Sequence, residues 1–108
     1  MKTKIAFVAF VALIFFPVSS FSGSAHGAVA SYAVMDNGNL LVTVGTNTSS
    51  PSCNTVPDRF AIDLNSKSGK AWYATIIASW VTGKIIYIEG TGTCSIVQDS
   101  ETVSYIYN

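Results

Sequence analysis

The sequence predicts a mainly β domain with one helix, in the order β-β-β-α-β-β, closing as a small OB-like Greek-key barrel. Three observations predict it. Short apolar runs alternate with turns rich in Gly, Asn and Ser. Only one stretch carries bulky residues at helical spacing, with Trp72, Ile76 and Trp80 on one line and Tyr73, Ile77 and Val81 on another. That stretch falls between the third and fourth predicted strands. An open antiparallel α+β sheet with the helix on one face is the alternative.

The first 27 residues read as a secretory signal. Lys2 and Lys4 precede an apolar run of 12 residues, Ile5 to Phe16, and Pro17 ends it. Ser19 to Ser24 is small and polar apart from Phe21, and Ala25-His26-Gly27 offers small residues for cleavage before Ala28. A membrane anchor needs about 20 apolar residues. The run is shorter, so residues 28–108 are expected to form a single domain, secreted or periplasmic, without a membrane span. That product holds four basic and six acidic residues, a net charge of −2, and loses His26, the one histidine of the chain.

Val29 to Met35 and Leu40 to Thr46 read as strands, joined through Asp36-Asn37-Gly38-Asn39. Asn-Gly between apolar runs predicts a hairpin with a type I′ turn. Gly45 to Pro57 is polar and aperiodic, and is expected to be a loop. Arg59 to Leu64 alternates, with Phe60, Ile62 and Leu64 inward and Arg59, Ala61 and Asp63 outward. Ser66 or Ser68 is placed to cap a helix over Gly69–Thr82, and Gly83 to end it in the left-handed conformation. Lys84 to Glu89 is apolar on both faces, as a central strand would be. Gly90-Thr91-Gly92-Thr93 turns into Cys94. Ser95 to Gln98 reads as a short strand, Asp99-Ser100-Glu101 as a turn, and Thr102 to Tyr107 as the last strand.

Cys53 and Cys94 are the only cysteines and lie 41 positions apart. An even pair in a small exported chain predicts a disulfide.

The helix has a bulky half and a small half that carries no charge beyond Lys70. Trp72, Ile76, Ile77 and Trp80 are expected to cover the barrel. Ala71, Ala74, Ala78 and Thr82 are expected to face a neighbouring subunit or a central pore, because a water-facing helix surface ordinarily carries charge, the alternative being cover by the chain's own loops.

The composition argues against catalysis. Without histidine or a free thiol the expected product has no Ser-His-Asp, Cys-His or zinc-binding arrangement. No enzyme activity, cofactor or metal is expected. Gly90-x-Gly92 lacks the third glycine and following helix of a dinucleotide loop. Nucleic-acid binding needs a basic groove, which four cations at net −2 do not make. Tyrosine and tryptophan remain as binding groups, and Tyr105 and Tyr107 are the candidate ligand contacts.

Arg59-Phe60-Ala61-Ile62-Asp63, Gly69-Lys70-Ala71, Ala78-Ser79-Trp80-Val81-Thr82-Gly83-Lys84, Gly90-Thr91-Gly92-Thr93-Cys94 and Glu101-Thr102-Val103-Ser104-Tyr105-Ile106 together resemble small exported bacterial proteins similar to the B subunit of subtilase cytotoxin. The resemblance covers about half of the chain and carries over no glycan-contacting residue. It implies an OB-type barrel, assembly into a homo-oligomer such as a pentamer, and binding of cell-surface glycans. The expected function is therefore a non-catalytic, toxin B-subunit-like carbohydrate-binding domain. The alternative is a monomeric periplasmic protein that binds or inhibits a protein partner.

Overall fold

The computed structural model describes residues 22–108. The expected signal lies outside the described residues up to position 21. Five strands and one helix follow: β1 (Ser24–Val34), β2 (Asn39–Ser49), β3 (Arg59–Asp63), α1 (Lys67–Thr82), β4 (Ile86–Gly90) and β5 (Glu101–Tyr107). The strands hydrogen-bond in a ring, β1-β2-β3-β5-β4 and back to β1, which is the OB-type order. Every pairing is antiparallel except β3 with β5, which are parallel and matched only at Phe60↔Glu101 and Ala61↔Thr102.

Alternation builds the core. Leu40, Val42 and Val44 of β2, Phe60 and Ile62 of β3, and Ile86 and Ile88 of β4 point inward, and Ile76 of α1 closes the cluster. Ala61 departs from the expected outward exposure and is fully buried. Its short side chain lies between its register partners Leu41 and Thr102 on the flanking strands.

The first two strands are longer than expected at both outer ends. Ser24–Gly27 pair with β4 at Glu89, Ile88, Tyr87 and Ile86, so these four residues close the ring. The boundary expected after Gly27 therefore falls inside β1, and His26 is a strand residue. At the far end of β2, Thr46, Asn47 and Ser49 pair with His26, Ala25 and Ser24, where a loop was expected. Neither segment shows apolar alternation, because of these residues only Ala25 enters the hydrophobic core and backbone pairing holds the rest.

The β1–β2 turn also differs from expectation. The Gly38 N–H donates to the Met35 carbonyl at 3.0 Å, and the Met35 N–H to the Asn39 carbonyl at 2.8 Å. Only Gly38 has a positive φ, 90°, and Asn37 does not. The Asn37 side-chain oxygen instead accepts from the Asn39 N–H at 3.0 Å. The result is a turn over Met35–Gly38 closed by a left-handed glycine, rather than type I′.

The helix starts two residues earlier than expected. Ser66 Oγ accepts from the Gly69 N–H at 2.9 Å, and Gly83, at φ 75°, donates to the Ser79 carbonyl. The buried side is Gly69, Ile76 and Ser79, with Trp72 and Tyr73 packed beside it. Trp80, expected to cover the barrel, is 49 % exposed and meets Tyr32 edge-on. Ser79 takes the inner place because its hydroxyl is used twice. It accepts from the Val29 N–H at 3.0 Å and donates to the Lys84 carbonyl at 2.6 Å. One short polar side chain thus ties α1 to β1 and to the start of β4.

β4 begins at Ile86, and Ile85 before it is exposed. β4 is buried on one face only, because Tyr87 points outward. The short strand expected at Ser95–Gln98 is reduced to a bridge between Val97 and Ser100.

Candidate functional site

The outer face of β4 and β5 carries a row of aromatic rings. A bulge in β5 sets their direction. Glu89 pairs with Tyr105 while Gly90 pairs with Val103, so Ser104 is an extra residue in the ladder. Glu101 and Val103 face inward, and Tyr105 and Tyr107, of the same parity, face out. Without the bulge the two tyrosines would enter the core.

Tyr107 stacks on Tyr87 with centroids 5.0 Å apart and planes 10° apart, and Tyr105 stacks on Tyr107 at 5.9 Å. His26 of β1 extends the row, stacked on Tyr87 at 5.7 Å. Tyr87, Tyr105 and Tyr107 are 39 %, 52 % and 47 % exposed, so each presents ring surface to solvent. The charge nearest the row is acidic. Partial burial, followed by the Glu89 carboxylate and then Tyr105 and Tyr87, raises the Tyr107 phenol above its ordinary value.

The structure thus brings Tyr105 and Tyr107 together, and adds Tyr87 and His26, which sequence reasoning assigned to a central strand and to the leader. Ala71, Ala74, Ala78 and Thr82 lie exposed on the outer side of α1, beside exposed Val81. Cys53 and Cys94 are disulfide-bonded with Cα atoms 6.1 Å apart, joining the β2–β3 loop to the β4–β5 loop.

Two further groups organise the β4–β5 loop. Arg59 Nη2 meets Asp99 Oδ1 at 2.8 Å, and Arg59 Nε donates to Ser100 Oγ at 2.8 Å. The Arg59 contact first, and then the Ser100 hydroxyl, which donates to Asp99 Oδ1 at 3.1 Å, hold the Asp99 carboxyl below its usual 3.8. A lowered carboxyl contributes stability above its unfolded value and loses it as pH falls through the folded one. We therefore expect Asp99→Asn to flatten the acid side of a melting-temperature profile below about pH 4. An unchanged acid limb would show that this pair contributes nothing. The second group is Glu101, whose side chain is fully buried. Its Oε2 accepts from the Gly23 N–H at 2.8 Å and the Gly92 N–H at 2.9 Å. Sequence reasoning placed Glu101 in a turn. Its inward parity with Val103 was the available signal.

Among the described residues, no group of three or more His, Cys, Asp or Glu side chains could hold a metal ion. Comparison with protein-family models, with curated proteins and with solved structures finds no match to this chain.

Proposed function

We propose that the chain is an exported, non-catalytic binding domain whose ligand lies across Tyr87, Tyr105 and Tyr107, and that the ligand is a neutral glycan. The half-exposed, stacked row of tyrosines carries this reading. Flat rings cover the C–H faces of a sugar, and their hydroxyls meet sugar oxygens at the edge. Glu89 beside the row opposes phosphate and other anions, which sets it apart from a nucleic-acid surface. A glycan array probed with the purified protein tests it. Tyr105→Ala or Tyr107→Ala should each weaken binding to any captured glycan by about 2 kcal/mol, or roughly 30-fold. Equal binding by both variants would remove the ligand from this face.

We further propose that copies of the chain assemble through the outer side of α1 into a homo-oligomer such as a toxin B-subunit-like pentamer. The support is an exposed surface of the small residues Ala71, Ala74, Ala78 and Thr82 that adjoins exposed Val81, with Lys84 at its border. Ala78→Arg should break the assembly, because a guanidinium would enter a close contact without a partner. On a solvent-facing surface the same change should cost under about 0.5 kcal/mol. Light scattering decides between the two. A wild-type monomer at high micromolar concentration would favour the periplasmic binder or inhibitor of a single protein partner.

A further inference from the structure

Glu101 is a fully buried carboxylate with an incomplete set of partners. Its Oε2 accepts two backbone N–H groups, and its Oε1 has none. Among the described residues the one ion pair joins Arg59 to Asp99, so no cationic side chain answers Glu101. A buried carboxylate without a counter-charge is costly, and a charge partner with spare donors relieves both deficits.

The backbone nitrogen of Gly23 stands at that place. It is 2.8 Å from Oε2, and the Gly23 residue is buried. A Cβ on Gly23 would strike both Oε1 and the Ser49 carbonyl, so only glycine brings its nitrogen this close. The Gly23 carbonyl accepts from the Gly90 N–H at 2.8 Å, which fixes the residue against β4. Ser22, immediately before it, is exposed.

The sequence adds an independent sign. Ser20 and Ser22 are small residues at −3 and −1 of the Ser22–Gly23 bond, as export-signal cleavage requires. Cleavage there leaves the ring-closing residues Ser24–Gly27 in place, whereas cleavage after Gly27 removes all of them.

We infer that the leader is removed between Ser22 and Gly23, and that the α-ammonium so created is the counter-ion of Glu101. Hydrolysis of that one peptide bond turns a single N–H donor into three and adds a positive charge beside the unpartnered oxygen. The domain then reaches its full stability only after processing. This rests on the export reading of the first residues.

Intact-mass measurement on the full chain, expressed in a bacterial host and recovered from the periplasm or medium, tests it. The expected product begins at Gly23. A product beginning at Phe21, His26 or Ala28 would overturn the inference and leave export standing. A chain recovered only with its leader attached would overturn both. A second measurement addresses the ion pair itself. In the processed protein the Gly23 amine should react with acetic anhydride about tenfold more slowly than in denaturant, since an ammonium held by a carboxylate offers little free base. Glu101→Gln should abolish that protection in a protein whose circular dichroism is unchanged. Equal rates in folded and denatured wild-type protein would exclude the pair without recourse to the variant.

Discussion

Replacing Cys53 and Cys94 together by alanine should cost about 4 kcal/mol, the chain-entropy value for a closed loop of roughly 40 residues. The two positions are 41 apart and their Cα atoms lie 6.1 Å from each other. That separation is ordinary for a disulfide. The bond joins two loops that otherwise meet through hydrogen bonds, Thr55 N–H to the Asp99 carbonyl at 3.1 Å and the Glu101 N–H to Asn54 Oδ1 at 3.3 Å, and neither loop supplies a side chain to the hydrophobic cluster. A chain of this size has a small core and total stability of about 5–15 kcal/mol or less, so the loss is a large fraction. The melting temperature should fall by about 20 °C, at 4–8 °C per kcal/mol. Circular dichroism melts of the double variant, and of the native protein with and without reductant, measure it. A fall below about 5 °C would show that the sheet holds these loops without the bond.

The elements legible in the sequence are those whose side chains are buried. Leu40, Val42 and Val44 alternate because they fill the core, and Phe60 and Ile62 do the same. The helix boundaries at Ser66 and Gly83 are legible because capping and left-handed backbone select residue types. Segments held mainly by backbone pairing leave little such trace. Ser24-Ala25-His26-Gly27 and Gly45-Thr46-Asn47-Thr48-Ser49 contain no run of large apolar residues at alternate positions, yet they pair with each other and the first closes the ring onto β4. Small residues before a strand also resemble a cleavage region, and that likeness moved the expected boundary into β1.

The binding face was half legible for a related reason. Tyr105 and Tyr107 near the end of the chain suggested exposure. Their alignment with Tyr87 depends on the register of β4 with β5 and on the bulge at Ser104. No local pattern encodes a bulge there, and a one-residue slip would send both rings inward. Glu101 was missed for a different reason, because a glutamate at the start of a strand ordinarily faces water.

Gly90→Ala should destabilise the domain by about 3 kcal/mol, the cost of stranding one buried and one part-buried donor at about 1–3 kcal/mol each. A Cβ at Gly90 would overlap Oε2 and the carboxyl carbon of Glu101. The strand cannot yield easily, because the Gly90 N–H donates to the Gly23 carbonyl at 2.8 Å and the residue pairs with Val103. The carboxylate must therefore leave its seat. The N–H groups of Gly23 and Gly92 then lose their acceptor, and the junction of β1, β4 and β5 opens. Glu101→Ala should itself be costly, for the same two donors are abandoned. Once the carboxylate is gone, however, the three atoms nearest the added methyl are gone with it, so Gly90→Ala in the Glu101→Ala background should cost under about 1 kcal/mol. Urea denaturation of the two single variants and the double variant measures this coupling. Additivity within about 0.5 kcal/mol would mean that the two residues do not share this space and that Glu101 sits elsewhere in solution.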